Sequence, residues 1–171
     1  NKKIKFNNKI KFLEKFGLAK RKKSNAKIIA ITGSSGKTTL KFLIGNLLKT
    51  FGNTYFSPKS YNNHIGVPLS LCNLNYNDEY GVFEIGMSKK GEIKTLSNLV
   101  KPDIAIITNV AEAHIENFKD LKGIAKAKAE IIQNIKENGT LILNRDDKFF
   151  SFFNQIANKR KLKIITFGSN S

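Results

Sequence analysis

Thr32-Gly33-Ser34-Ser35-Gly36-Lys37-Thr38-Thr39 is the segment whose residue types and spacing point most directly to chemistry. It follows a β-branched apolar run, Lys27–Thr32, and opens an amphipathic stretch, so it reads as a strand-to-helix turn. Glycines let a backbone curl until successive N–H groups converge on phosphate oxygens, and the first turn of a helix adds partial positive charge. In such a loop Gly33, Ser34, Ser35, Gly36 and Thr39 border the phosphates. Lys37 reaches the β/γ-phosphates, and the Thr38 hydroxyl ligates Mg²⁺. The common form has a glycine five positions before the Gly-Lys pair; Ile31 stands there, leaving the shorter Gly-x-x-Gly-Lys-Thr. An ordinary turn with an incidental lysine is the plainer alternative, but the strand before and the helix after favour a bound nucleoside triphosphate.

Three further residues stand out. Glu84 ends the run Tyr80-Gly-Val-Phe-Glu, where a carboxylate at the carboxyl end of a strand faces the ligand crevice and can ligate Mg²⁺. A solvated strand-end glutamate is the alternative. Lys128 falls inside an apolar stripe of Ile124, Ile131, Ile132 and Ile135, whereas Lys126 points the other way. An unpaired buried ammonium costs several kcal/mol or loses its proton, so this position calls for a partner or a modification, unless the stem snorkels to the core edge. His114 follows the strand at Asp103–Thr108 on the same side of the expected sheet; a surface loop histidine is the simpler reading, as it is for His64. Cys72, among Leu69, Leu71 and Leu74, reads as a small core hydrophobe.

The elements that must carry these residues alternate. Strands are expected at Lys27–Thr32, Thr54–Phe56, Tyr80–Ile85, Asp103–Thr108, Thr140–Asn144 and Leu162–Phe167. Between them come helices: one presenting Leu40, Leu43, Ile44, Leu47, Leu48 and Phe51, then others at Val67–Asn73, Glu92–Val100, Leu121–Lys136 and Lys148–Asn158. This is an α/β chain with a mostly parallel sheet and flanking helices, of the P-loop nucleotide-binding type, and ligands of such sheets sit beyond the carboxyl ends of the strands. Ahead of it, Phe6, Ile10, Leu13 and Phe16 share a helical face, and Gly17–Asn25 reads as a basic linker.

Composition narrows the class. At 171 residues, 40% hydrophobic, the chain suits one domain with a packed core. It has no apolar run near the roughly 18 residues a membrane span needs. One cysteine and no signal-peptide pattern fit a cytoplasmic protein without an internal disulfide. The net charge of +17 suggests an anionic partner. A nucleic-acid module would interleave aromatics with lysines on an exposed face, whereas most of the 13 Phe fall at apolar-periodic positions, so small anionic substrates are expected instead.

Taken together, these segments resemble the Mur ligases, ATP-dependent amide-bond-forming enzymes of peptidoglycan synthesis. The motifs that carry the likeness are Ile31–Thr39, Tyr61-Asn-Asn-His-Ile-Gly-Val-Pro68, Phe83-Glu-Ile-Gly-Met-Ser-Lys-Lys-Gly-Glu-Ile93, Thr108–His114, Ala125-Lys-Ala-Lys-Ala-Glu-Ile131 and Asn138–Asn144, in family order from about Lys27 onward. The second, third and fifth fit the branch that adds D-Ala-D-Ala to UDP-N-acetylmuramoyl-tripeptide. The resemblance implies Lys37, Lys128 and His114 as catalytic residues and ATP with two Mg²⁺ ions held through Thr38, Glu84, His114 and Lys128. It implies that Lys128 is carbamylated by CO₂ and that Asn62 and Asn63 contact the muramoyl-peptide. Many members have Asp before the motif histidine; Ala113 stands here, so one carboxylate at the second metal is missing. Residues 1–26 are then expected to be a basic helix and linker from an N-terminal domain, and 27–171 a C-terminally shortened central ATP-binding domain of a monomeric enzyme that binds no nucleic acid. A sister Mur-type ligase, a folylpolyglutamate-synthase-like ligase and a P-loop switch protein are the alternatives.

Overall fold

The computed structural model describes residues 8–112 and 117–169. Six strands form one sheet, β1 (Lys27–Thr32), β2 (Thr54–Phe56), β3 (Tyr80–Glu84), β4 (Ile104–Ile107), β5 (Thr140–Asn144) and β6 (Lys163–Phe167), in the order β2-β3-β1-β4-β5-β6. Every pairing is parallel. The β-branched and apolar runs of β1, β3 and β4 are buried on both faces, as central parallel strands must be. The connecting helices are α2 (Lys37–Leu48), α3 (Gly66–Asn73), α4 (Glu92–Val100), α5 (Leu121–Ala129) and α6 (Phe150–Lys159).

Alternation along the strands sorts the core into two layers. Ile28, Ala30, Phe83, Ile85, Ala105, Ile107, Leu141 and Leu143 join the larger one, which includes Val67, Ile93, Ile124 and Phe153 from α3, α4, α5 and α6. On the other face Ile29, Ile31, Val82 and Ile106 pack with Leu40, Ile44 and Leu48 of α2. Register is what matters for function: Ile31 lies beside Glu84, and Thr32 beside Ile107, so the exits of β1, β3 and β4 are level with one another.

Three expectations need correction. Gly17–Lys23 is not linker but the second half of α1 (Lys9–Lys23), which packs on α3 and α4. Its inward face is Gly17 and Arg21, while Ile10 and Phe16 are exposed; Phe6 lies outside the described residues. Arg21 donates to the Val100 and Lys101 carbonyls at 2.7 and 3.0 Å and pairs with Asp103 at 3.6 Å, which offsets its burial; desolvation lowers its pKa and Asp103 opposes that. On α2 the apolar stripe is narrower than expected: Leu43 and Leu47 are exposed, as is Phe51 beyond the helix end, and Lys41 and Gly45 are buried instead. The helix from Leu121 leaves α-geometry after Ala129 and tightens into a 3₁₀ turn, Glu130–Asn134, which still buries Ile131 and Ile132.

Candidate active site

The phosphate loop is braced from the neighbouring strand. Gly33 has φ +153°, and a Cβ there would lie 1.8 Å from the Thr108 hydroxyl; Gly36, with φ +77°, turns the chain into α2. Asn109 Oδ1 accepts the Ser34 and Ser35 N–H groups at 3.2 and 3.1 Å, and Thr108 Oγ1 donates to the Ser35 carbonyl at 2.7 Å. The Ser34 hydroxyl donates to the Ala111 carbonyl at 2.9 Å, and the Ser35 hydroxyl accepts from Asn109 Nδ2 at 2.7 Å. The serine side chains therefore shape the loop, and the Ser34 and Ser35 N–H groups are likewise taken up by Asn109. The first α-helical bond of α2 runs from Leu40 N to Gly36 O, and no side chain caps the helix, so the N–H groups of Lys37, Thr38 and Thr39 have no i−4 acceptor within α2.

Lys37 curls over this loop, its Nζ donating to the Gly33 carbonyl at 2.9 Å and approaching the Ser34 carbonyl at 3.5 Å. Burial lowers its pKa, and the Glu84 carboxylate opposes the shift.

Glu84 is only 2% exposed and hydrogen-bonded through both oxygens. Oε2 accepts from the Thr38 hydroxyl at 2.8 Å, and Oε1 from Asn62 Nδ2 at 2.7 Å. The Ser60 hydroxyl lies 2.9 Å from that of Thr38. Two hydroxyls and a carboxylate brought together beside a phosphate loop are hard oxygen donors, the set that suits Mg²⁺ completed by water and phosphate. Among the described residues no three of His, Cys, Asp and Glu form a metal-like cluster.

Lys128, on α5, is 2% exposed, whereas Lys126 is exposed. No described residue gives it a hydrogen bond or ion pair. Burial first, then the nearby Lys37 charge, lowers its pKa to about 7, with Asp147 pulling the other way. Its end borders a cleft of about 890 Å³ at the carboxyl edge of the sheet, lined also by Gly33, Lys37, Asn62, His64 and Lys89. Thus Lys37, Lys128, Asn62 and Asn63 share one cleft, and Glu84 and Thr38 stand at its wall through Asn62. Asn63 also has a local duty: its Oδ1 accepts the Ile65 and Gly66 N–H groups at 3.1 and 2.9 Å, shaping the entry to α3. His114 lies outside the described residues. Cys72 is half-buried against the Leu13 carbonyl, away from the cleft, and burial raises its thiol pKa.

Two residues here were not singled out from sequence. Asn109 follows a strand and looks like an ordinary turn residue, yet it clamps the loop. Lys41 is fully buried on α2, donating to the Lys59 carbonyl at 2.7 Å and Ser57 Oγ at 3.2 Å and lying 4.0 Å from Glu84 Oε2. Burial lowers its pKa and Glu84 opposes this. Its signal was the spacing, four after Lys37 and three after Thr38, which puts all three on one side of the helix.

An all-parallel α/β sheet with a phosphate loop leaving its central strand, and a carboxylate at the next strand's end, defines a P-loop-type nucleotide-binding domain. The Mur ligase middle-domain model matches residues 31–171, and the chain belongs to that family. It is 48% identical over 131 residues to the UDP-N-acetylmuramoyl-tripeptide–D-alanyl-D-alanine ligase of Buchnera aphidicola subsp. Acyrthosiphon pisum, covering 77% of this chain and 29% of the relative. Among solved structures, MurF from Acinetobacter baumannii superposes with a TM-score of 0.89 at 34% identity, over 95% of this chain and 36% of that one. MurF ligase from Thermotoga maritima, solved in complex with ADP, superposes with 0.87 at 29% identity, over 100% and 40%. The chain spans about a third of the length of the relatives it matches. Among the described residues no helix is long and apolar enough to cross a membrane.

Proposed function

We propose that this chain is the ATP- and metal-binding centre of a cytoplasmic ligase that joins D-Ala-D-Ala to UDP-N-acetylmuramoyl-tripeptide, releasing ADP and phosphate. The observation that carries the reading is the meeting around one cleft of a phosphate loop, the buried Glu84 and a buried Lys128 that has no partner among the described residues. The names of the relatives support the branch.

In the reaction, a carboxylate oxygen of the tripeptide attacks the γ-phosphorus of ATP and the bond to the β-phosphate oxygen breaks, giving an acyl phosphate and ADP. The amine of D-Ala-D-Ala then attacks the acyl carbon, phosphate leaves, and the amine proton passes to solvent. Both reactants of the first step are anions, so their approach in a desolvated cleft is repulsive. The loop N–H groups and Lys37 oppose that repulsion and stabilise charge on the transferring group. Mg²⁺, when bound, would supply further neutralisation of the phosphate charge. Thr38 and Glu84 would hold it, and Asn62 orients the Glu84 carboxylate by its 2.7 Å bond while its neighbour Asn63 borders the substrate side.

Lys128 would contribute as a carbamate. Its neutral amine would attack CO₂, forming the N–C bond as a C–O π bond opens and a proton leaves, so that a lysine with no partner among the described residues becomes an anionic oxygen donor able to hold a second metal, with His114 as its expected companion. A pKa near 7 leaves a large share of the amine neutral at physiological pH, which suits this step. Trapping of ¹³CO₂ on the intact protein under ATP, Mg²⁺ and bicarbonate should add one carbamate at Lys128; a bare amine under those conditions counts against the modification.

The experiment that tests the function is ADP release by the full-length enzyme with UDP-N-acetylmuramoyl-tripeptide, with and without D-Ala-D-Ala, for wild type and Lys37→Ala. Release should need both substrates and fall by on the order of a hundred- to a thousand-fold in the variant. Release driven by a different amino acid would move the branch, and independence from both substrates would remove the ligase reading.

A further inference from the structure

We propose that Lys41 is a positioning residue that acts through Glu84, locking the carboxylate and the 57–63 segment to the helix that carries Lys37 and Thr38. The inference rests on the ligase reading above and adds to it a residue with no phosphate or substrate contact of its own.

An ammonium that is 0% exposed in a small domain is costly, and an aliphatic side chain would fill the same space. What an aliphatic chain could not do is reach three places at once. Lys41 Nζ donates to the Lys59 carbonyl and to Ser57 Oγ, and the Ser57 hydroxyl in turn donates to the same Lys59 carbonyl at 3.1 Å, so the Ser57–Lys59 turn closes around the ammonium. Its remaining side faces Glu84 Oε2 at 4.0 Å, in a pair whose side chains are 0% and 1% exposed.

The turn that Lys41 pins leads straight into the site. The Tyr61 N–H donates to the Lys59 carbonyl at 2.7 Å and the Asn62 N–H to the Ser60 carbonyl at 2.9 Å, so the backbone from the pinned carbonyl to Asn62 is tightly wound. From there the Ser60 hydroxyl meets that of Thr38, and Asn62 Nδ2 holds the other oxygen of Glu84. Lys41 is thus one vertex of a closed polar circuit: Lys41, Glu84, Asn62, the 57–62 backbone and back to Lys41. Removing the ammonium leaves Glu84 with neutral donors only, Thr38 and Asn62, and releases the Ser57–Lys59 turn from α2, so that the segment bearing Asn62 is held by the Ser60 hydroxyl and by the Gly86 N–H on the Asn62 carbonyl at 2.8 Å. The phosphate loop, braced separately by Thr108 and Asn109, keeps its shape.

The test is a double-mutant cycle on the full-length enzyme, reading tripeptide-dependent ADP release against Mg²⁺ concentration for wild type, Lys41→Gln, Glu84→Gln and the double variant. Lys41→Gln should lower kcat and raise the Mg²⁺ requirement, each by about 10- to 100-fold, the cost typical of losing a partner behind a metal ligand. Its KM for ATP at saturating Mg²⁺ should stay within about threefold, and the double variant within about twofold of Glu84→Gln alone, because the two act as a unit. Lys41→Gln at wild-type rate and Mg²⁺ requirement, or effects that multiply in the double variant, would overturn the proposal. If Lys41→Gln does not fold, Ser57→Ala, which removes one partner of the ammonium without touching α2, should raise the Mg²⁺ requirement by several-fold, and an unchanged requirement overturns it instead. A wild-type enzyme that releases no ADP with tripeptide would sink the ligase reading separately; the Mg²⁺ dependence of ADP binding, compared between wild type and Lys41→Gln, then still decides the role of Lys41.

Discussion

Two lysines of this domain are buried on opposite sides of the sheet, Lys41 on α2 and Lys128 on α5, and their surroundings could hardly differ more. Lys41 is enclosed by a carbonyl, a hydroxyl and a carboxylate. Lys128 has no acceptor among the described residues, its strongest charged neighbour is another cation, Lys37, and its tip borders the cleft. Burial alone therefore says little about what a lysine does. A buried ammonium held by two hydrogen bonds and a neighbouring carboxylate orders the groups around it. One whose protons have nowhere to go gives one up and becomes an amine able to react.

The comparison predicts opposite behaviour on truncation. On the proposed carbamate, Lys128→Met should reduce ligation by at least about a hundredfold, since the oxygen donor the carbamate would supply is lost, yet leave the fold at least as stable at pH 7. Lys41→Met should do the reverse in stability, costing about 3 kcal/mol in urea unfolding because Glu84 stays buried without its cation. If both variants destabilise alike, the distinction between a satisfied and an unsatisfied lysine fails.

The two sites were unequally legible in the sequence, for a physical reason. Lys128 shows itself because Ile124, Ile131 and Ile132 surround it at helical spacing, and local periodicity survives into the fold. Lys41 sits among Leu40, Leu43 and Ile44, where hydropathy reads it as the polar edge of an apolar helix. Its spacing from Lys37 and Thr38 gives its side of the helix, but its burial depends on Ser57 and Lys59, whose turn is a tertiary matter. The same limit explains α1: its inward residues, Gly17 and Arg21, are types that hydropathy sends outward, and Arg21 is held by carbonyls 79 and 80 positions away. The basic runs mislead likewise. Arg21 is a core bolt, and Arg160 donates to the carbonyls of Gln133 and Ile135, so part of the cationic surplus is internal scaffolding. By contrast, the strands of the central sheet were legible to within a residue or so, because β-branched runs such as Lys27–Thr32 bury on both faces whatever their neighbours do.

A smaller effect sharpens the account of Lys128. In the unfolded chain it holds its proton up to its ordinary value of 10.5, and in the folded protein only to about 7. Between these the unfolded state binds more protons, so the lysine's penalty on folding is complete below pH 7 and fades as pH rises toward 10.5. Lys128→Met escapes the penalty. Its stability advantage over wild type, measured by urea unfolding in carbonate-free buffer, should be largest at pH 7 and below, up to a few kcal/mol at about 1.4 kcal/mol per pKa unit, and shrink with each step upward. An advantage that grows with pH would mean the amine stays charged in the fold.

The smallest expected effect belongs to Lys126, two residues earlier on the same helix. It is exposed, it lies in the last turn of α5, and nothing among the described residues pairs with it. A cation there interacts only with the helix dipole in high dielectric, so Lys126→Ala should cost about 0.5 kcal/mol or less in urea unfolding and change tripeptide-dependent ADP release by less than about twofold. The pair Lys126→Ala and Lys128→Met thus differs by two positions in sequence and by roughly two orders of magnitude in expected rate. Helical geometry is the only thing that separates them: one side of α5 faces solvent and the other the cleft. Should Lys126→Ala prove as damaging as Lys128→Met, α5 would have to be turned about its axis, and the cleft would lose the buried amine on which the proposed carbamate rests.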